Sequence, residues 1–378
     1  MKIIRLISRI LVGFVFIFSG IVKAIDPLGS AYKFSDYFQA FHISFLKFLS
    51  LPLAILLFTA EFISGFSVLT GFRQKTGITG VFLLIMFFTP LTFILALTNP
   101  VSDCGCFGDA IHLTNWQTFG KNIILLAFIL VLFSGRKSIK SIFGPITEWL
   151  ILLFAIIMFV AFSLFNIRYL PIIDFLSYKT GTNIPEKMKI PEGAVADQYA
   201  TTFIYEKGGS RKEFTISNYP SNDSSWKFIG QKSLLVKKGY VPPIHDFSLV
   251  NMEKQDITDL VLNNPGYTVI MISKKLTEAD STRLKKGFEL GAYCNTSGIN
   301  FIVLTASGSE EIKNHGNGLN FCNTDETTLK TMIRSNPGYI LIQNGTIMGK
   351  WSWANLPKLC ILLKNRVDKS TESIKINK

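Results

Sequence analysis

Apolar residues fall along this chain in two regimes. Up to about residue 166 they gather into long runs, at about 4–25, 49–71, 77–98, 117–134 and 146–166, with short polar stretches between them. Beyond that point the runs shorten and alternate with polar clusters and turn residues. A bilayer core of about 30 Å needs roughly 20 apolar residues in a helix, so the five long runs predict five membrane-crossing helices. The short runs predict an α/β domain. Tyr267 to Ser273 and Asn300 to Thr305 read as strands around a helix at about 277–296. A short helix from Asp325 to Ser335 and a hairpin made of 336–342 and 345–351 follow. Between the two regimes, turn signals such as Asn218-Tyr219-Pro220-Ser221 predict a linker or irregular outer region. The chain therefore divides into a four-span domain at 1–140, a fifth span at 141–168, the irregular region at 169–240, the α/β domain at 241–366 and a polar tail at 367–378.

Loop charge predicts direction. The first run has a basic start (Lys2, Arg5, Arg9) like a secretory signal, but it is too long and has no small-x-small cleavage site, so it reads as an uncleaved span. Arg73 and Lys75 follow span two, and Arg136, Lys137 and Lys140 follow span four, whereas 99–116 carries no Lys or Arg. This alternation predicts an N-terminus inside and the α/β domain outside; in a bacterial inner membrane the two sides are cytoplasm and periplasm. The first loop, with Lys33 and Lys47 against Asp36, departs from the pattern.

Composition agrees with the division. The chain is 48% hydrophobic and 17% charged. Residues 1–165 hold 12 Lys/Arg and 6 Asp/Glu, against 27 and 20 in the remainder, so the net charge of +13 is shared almost evenly. No block concentrates enough positive charge to bind nucleic acid.

The candidate chemistry lies in the uncharged-by-lysine loop, Asp103-Cys104-Gly105-Cys106-Phe107-Gly108-Asp109. A capping loop has no structural need of two thiols. Disulfide geometry requires Cα atoms within about 4.4–6.8 Å, so Cys104 and Cys106 can join only if the chain turns between them, and Gly105 permits that turn. An outer compartment is where such bonds form and persist. Asp103 would raise a neighbouring thiol pKa, while a helix N-terminus near Asn115 would lower it. Three readings stay open: a redox couple, a structural disulfide or passive thiol pair, and metal binding by Cys104, Cys106, Asp109 and His112, whose spacing matches no zinc signature. Within the spans, Glu61 is costly in hydrocarbon and must face the bundle interior, where it could bind a partner group, relay a proton or pair with Lys23. Lys23 itself could snorkel to the interface. The small residues Ser19, Gly20, Ser64 and Gly65 suit close helix packing.

With these residues in view, the first 140 residues resemble the DoxX-like membrane family, in its methylamine utilisation protein MauE branch. The resemblance is carried by Phe18-Ser19-Gly20 with Lys23 and Asp26-Pro27, by Ala60-Glu61-Phe62 with Gly65, and most specifically by Asp103 to Asp109, including Gly108. It implies a four-helix membrane domain concerned with thiol/disulfide handling of exported proteins, together with a thioredoxin-like partner. The outer domain resembles a thioredoxin-like fold of the membrane-tethered branch with its Asp246-Phe247-Ser248-Leu249 lead-in. That resemblance implies that Pro337 is the cis-proline of the fold. Where an active member carries Cys-x-x-Cys, this chain has Lys274-Lys275-Leu276-Thr277, so the domain itself should not exchange dithiols. Cys294 and Cys322 could form a structural disulfide or remain buried thiols, with Cys360 left over.

Two functions of different class follow. One is a membrane redox component in which Cys104 and Cys106 cycle, electrons pass to a membrane carrier such as quinone, and the tethered domain docks exported clients beside the loop. The other is a non-catalytic assembly or scaffolding protein with a structural loop disulfide.

Overall fold

The computed structural model describes residues 2–101, 103–136, 144–195, 198–215, 218, 223, 225–237, 239–315 and 318–356. The five apolar runs are helices of membrane-crossing length. They are α1 (Lys2–Ile25), α3 (Ser50–Thr70), α4 (Gln74–Thr98), α5 (Asn115–Gly135) and α6 (Pro145–Tyr169). Between α1 and α3 lies α2 (Pro27–Ala40), a helix that the apolar pattern does not reveal because its apolar positions are diluted by Gly29, Lys33, Ser35 and Asp36. It starts sharply: Pro27 occupies its first turn and the Asp26 side chain accepts the Gly29 amide, at 2.9 Å, as N-cap.

Helices α1 and α3 form the closest pair of the bundle. A Cβ at Gly20 would lie 2.8 Å from the Phe62 Cβ, and one at Gly65 equally near that of Phe16, so the backbones can approach only because these positions are glycine. One apolar cluster joins Val12, Phe16, Val68, Ile78, Ile85 and Ile129 across α1, α3, α4 and α5. A second, with Ala24, Ala54, Phe58 and Phe159, brings in α6, and Phe62 stacks on Phe159 at 4.1 Å.

Residues 182–247 make a separate compact unit. After the short α7 (Ile184–Met188) come β1 (Gln198–Lys207), β2 (Ser210–Thr215) and β3 (Lys227–Lys237), an antiparallel sheet in the order β2-β1-β3. This corrects the expectation of an irregular region at 169–240. The strands have no continuous apolar run; they are held by edge-to-face aromatic contacts, Tyr205 with Phe214 and Phe228, and Phe214 with Trp226 at 5.1 Å.

The α/β domain contains β4 (Val250–Asn251), α8 (Thr258–Leu262), β5 (Tyr267–Ser273), α9 (Ser281–Thr296), β6 (Asn300–Thr305), α10 (Ser309–His315), β7 (Asn320–Asn323), α11 (Glu326–Met332), β8 (Gly338–Gln343) and β9 (Thr346–Ser352). Its sheet order is β4-β7-β6-β5-β8-β9. β5 and β6 are parallel across the α9 crossover, whereas β8 and β9 return antiparallel after a cis Asn336–Pro337 bond. That arrangement is thioredoxin-like. Its core gathers Val269, Met271, Leu284, Phe301, Val303 and Tyr339 between sheet and helices. The proposed Cys294–Cys322 bridge is not formed: Cys322 is a free buried thiol, although Cys294 is disulfide-bonded. Cys322 lies on β7 and Cys294 at the end of α9, which packs across β6, the strand beside β7. Cys360 and the 367–378 tail lie outside the described residues.

Candidate functional site

The loop from α4 to α5 is fastened at its base before any thiol is considered. Asn115 Nδ2 donates to Asn99 Oδ1 at 2.8 Å and to the Val101 carbonyl at 2.9 Å. A capping box between Thr114 and Gln117 fixes the start of α5. At the tip, Asp103 Oδ1 accepts the Gly105 amide at 2.8 Å, and the Gly108 amide donates to the Gly105 carbonyl at 3.0 Å. Gly105 has φ +67°, and a Cβ there would sit 3.0 Å from Lys33 Cγ, so glycine is required by both the turn and its neighbour. Lys33 in turn holds Asp103 Oδ2 at 2.9 Å.

This turn brings the two sulfurs to 3.3 Å, with Cys104 buried and Cys106 half-buried, both free thiols. The surrounding helices grip the same turn through its carbonyls. Tyr37 of α2 donates to the Cys104 carbonyl at 2.8 Å, and Ser19 of α1 lies 2.8 Å from the Cys106 carbonyl. Ser19 Oγ is also 3.0 Å from Glu61 Oε2, so its single hydrogen can serve one of these acceptors at a time. Lys23 Nζ meets both Glu61 oxygens at 2.8 Å and Ser19 Oγ at 3.1 Å. Both members of the pair are buried, which corrects the snorkelling expectation for Lys23: Glu61, one helix away, supplies a counter-charge inside the bundle.

The electrostatics divide the two thiols. Hydrogen bonding from Cys104 holds the Cys106 thiol down at about 6, against its burial, with Lys121 and Lys23 adding to the effect. The same bond, with burial, pushes Cys104 well up. The pair thus shares a proton, and Cys106 is the sulfur more readily present as thiolate. Asp103 is held at about 2: burial pushes it up, but His112 and Lys33 outweigh that. Its carboxylate is therefore occupied by Lys33, the Gly105 amide and His112.

The sulfurs line a cavity of about 580 Å³, open on one side, whose other walls come from α1 to α5. Its walls are mostly apolar, with Phe16, Leu57, Leu84 and Phe88 among them, and Lys23, Glu61, Lys121 and Asn122 supply polar points on the same wall system as Cys104 and Cys106. Cys104, Gly105, Cys106, Lys23 and Glu61 thus share one site. Asp109 does not; it is drawn to Arg334 on the far side of the loop. The four-residue metal set is accordingly not assembled, and among the described residues no group of three or more His, Cys, Asp or Glu side chains is placed to hold a metal.

Arg334 was not anticipated from sequence. It lies between α11 and the cis-proline, is buried, and uses all three guanidinium nitrogens. Nε donates to Asp26 Oδ1 and Oδ2 at 3.0 and 2.8 Å, Nη2 to Asp109 Oδ2, and Nη1 to the Lys330 carbonyl. Beside it Lys274, at the first position of the missing Cys-x-x-Cys, donates to Tyr32 of α2. Burial and Arg334 depress Lys274 to about 7. The only sequence signal was a basic residue directly before Ser335-Asn336-Pro337, too common to read.

No curated protein matches this chain. Among solved structures it is similar to a solution structure from Bacteroides thetaiotaomicron provisionally described as a protein disulfide isomerase, at 12% identity, covering 32% of this chain and 84% of that one with a TM-score of 0.27. Residues 199–238 match a domain of unknown function, DUF8463. Residues 1–135, which hold α1 to α5 and the cysteine loop just described, match the family model "Methylamine utilisation protein MauE", so this region of the chain carries a MauE family domain.

Proposed function

We propose that the protein is an inner-membrane thiol/disulfide component that assists maturation of exported proteins, with Cys104 and Cys106 as its redox pair. The observation that carries this reading is the contact of two free thiols, one held as a nucleophile, on the wall of a cavity reaching among the membrane helices. In the oxidising direction, a client thiolate attacks the Cys104–Cys106 disulfide and displaces one sulfur as thiolate. The second client thiol then breaks the mixed disulfide. The client leaves with one new S–S bond, and the pair gains two electrons and two protons.

Reoxidation returns two electrons and two protons to a carrier. The apolar walls and the few convergent polar groups suit the ring and tail of a lipid-soluble quinone. Glu61, Lys23 and Ser19 form a hydrogen-bonded cluster against the Cys106 carbonyl, and the Glu61 carboxylate is the group there that would accept the thiol protons and pass them on. In this reading the N-terminus is cytoplasmic, and the loop and the thioredoxin-like domain face the periplasm.

The test traps thiols in intact cells with a membrane-impermeant mass tag. Cys104 and Cys106 should be tagged after mild reductant and protected again once it is removed. Failure to tag them in cells, with tagging restored in inverted vesicles, would refute the orientation. The scaffolding alternative draws on the Lys274-to-Thr277 segment, which bears no sulfur, and it predicts a pair whose state never changes.

A further inference from the structure

The thioredoxin-like domain carries no dithiol at its usual position, yet it applies that very face to the membrane domain. Lys274 reaches Tyr32, and Arg334, just ahead of the cis-proline, reaches Asp26 and Asp109. We propose that Arg334 is a positioning residue for the dithiol: acting through Asp109, it holds the rear of the Cys-Gly-Cys turn so that the two sulfurs stay in contact. The inference rests on the redox reading of Cys104 and Cys106 and adds the part the outer domain plays in it.

The loop has three anchors, and they divide its length. Lys33 and Tyr37 hold Asp103 and Cys104 from α2, and Ser19 holds Cys106 from α1. After Cys106 the chain turns through Gly108, with φ +53°, and Asp109 is the next residue with a charged grip, three positions past the nucleophile. Freed from Arg334, the 107–110 turn would keep the 3.0 Å bond from the Gly108 amide to the Gly105 carbonyl, the 3.3 Å bond from the Ala110 amide, a weak bridge from Phe107 to Ile111 and the Phe18 ring and Lys121 ammonium against Phe107, but no ion pair.

The arm that carries Arg334 is stiff. Asn336 Oδ1 accepts from Ser273 Oγ at 3.1 Å and from the Lys274 amide at 3.2 Å, and Ser335 Oγ accepts the Trp353 amide at 3.3 Å. On the membrane side the socket is equally specific. Asp26 is simultaneously the N-cap of α2, and a Cβ on Gly29 would come within 3.0 Å of Arg334 Nη2. One guanidinium thereby ties the first residues of α2, whose later turns hold Cys104, to the rear of the same loop. A planar five-donor fork can do this, and a lysine cannot.

The charged and titratable groups around Cys106 come from every side: Lys23 of α1, Lys33 and Tyr37 of α2, Glu61 of α3, Lys121 of α5, and Asp103 and Cys104 of the loop. Arg334 acts on the sulfur through loop geometry, so the experiment must separate geometry from mere docking. In the full chain in lipid nanodiscs, the pH profile of thiol alkylation by iodoacetamide is measured by mass spectrometry for wild type, D109N, D109E and R334Q. D109N removes the ion pair at the loop end only and leaves the Arg334–Asp26 contact, so the domain stays docked. We expect D109N and R334Q to slow Cys106 alkylation at pH 7 about tenfold, moving the profile up by about two pH units as the Cys104 contact loosens, with D109E within about twofold of wild type. A D109N profile superimposable on wild type overturns the proposal, whatever R334Q does, because Arg334 would then only tether the domain. Alkylation needs no turnover, so a pair that never cycles in cells refutes the redox function without touching this result.

Discussion

Two short turns of this chain invite comparison, because each follows an element that leads toward the same junction. After α4 the loop keeps two sulfurs, at Cys104 and Cys106. After β5, where a thioredoxin-like domain normally keeps its pair, stand Lys274 and Thr277. At the first turn the two cysteines are gripped through their carbonyls, which leaves the sulfurs free to react. The second spends its side chain on a contact, Lys274 to Tyr32. If the loop pair is the redox couple proposed above, chemistry and docking face belong to different domains, and a thioredoxin-like fold here indicates where contact is made and not where electrons move.

The largest effect should come from the sulfurs. C104S or C106S abolishes exchange with a model dithiol peptide, whereas K274A leaves it within a few-fold; loss in both would erase the distinction between the turns. C104A should also return the Cys106 thiol from about 6 toward the ordinary range near 8.5, so that at pH 7 its thiolate falls from about nine-tenths to a few per cent, as read by alkylation rate.

Next come the buried ions. Removing one partner of Lys23–Glu61 leaves an uncompensated charge in the bundle and costs about 3–5 kcal/mol, whereas the double variant K23M/E61L should recover most of that stability. It should not recover turnover if Glu61 relays protons. Unfolding in detergent and exchange assays on the four proteins separate the two roles, and full recovery of both would make the pair purely structural.

Lys274 supplies a smaller effect with a definite sign. Its pKa is about 7 folded and near 10.5 unfolded, so between those values the unfolded chain binds the extra proton. Stability therefore rises with pH from about 7 to 10.5 and is lowest below pH 7. K274M should flatten that slope; an unchanged slope would place the titration elsewhere. Smallest of all, S19A should cost about 1 kcal/mol by leaving a loop carbonyl without its donor.

How much of this was legible follows from range. The membrane helices were visible because an unbroken apolar run is a local signal, and their observed ends lie within a few residues of the expected ones. The thioredoxin-like strands were likewise local, as was the Cys-Gly-Cys turn. Helix α2 was hidden because a helix lying between spans needs no long apolar face. The β1–β3 sheet was hidden because its core is made of aromatic pairs across strands. Arg334 was hidden most deeply: its partner Asp26 is 308 residues away, and nothing in either neighbourhood names the other. The pairing of Glu61 with Lys23 was among the readings of the sequence, whereas snorkelling of Lys23 fails because a counter-charge on another helix lets the ammonium stay inside the bundle.

The deciding measurement is the redox midpoint of Cys104 and Cys106 in the full-length protein in lipid nanodiscs, titrated in glutathione buffers and read by mass-tag alkylation. A reversible two-electron transition above about −230 mV, in the range of exchange proteins, is the expected result. A bond that stays closed below about −300 mV, or thiols that never close one, would contradict it.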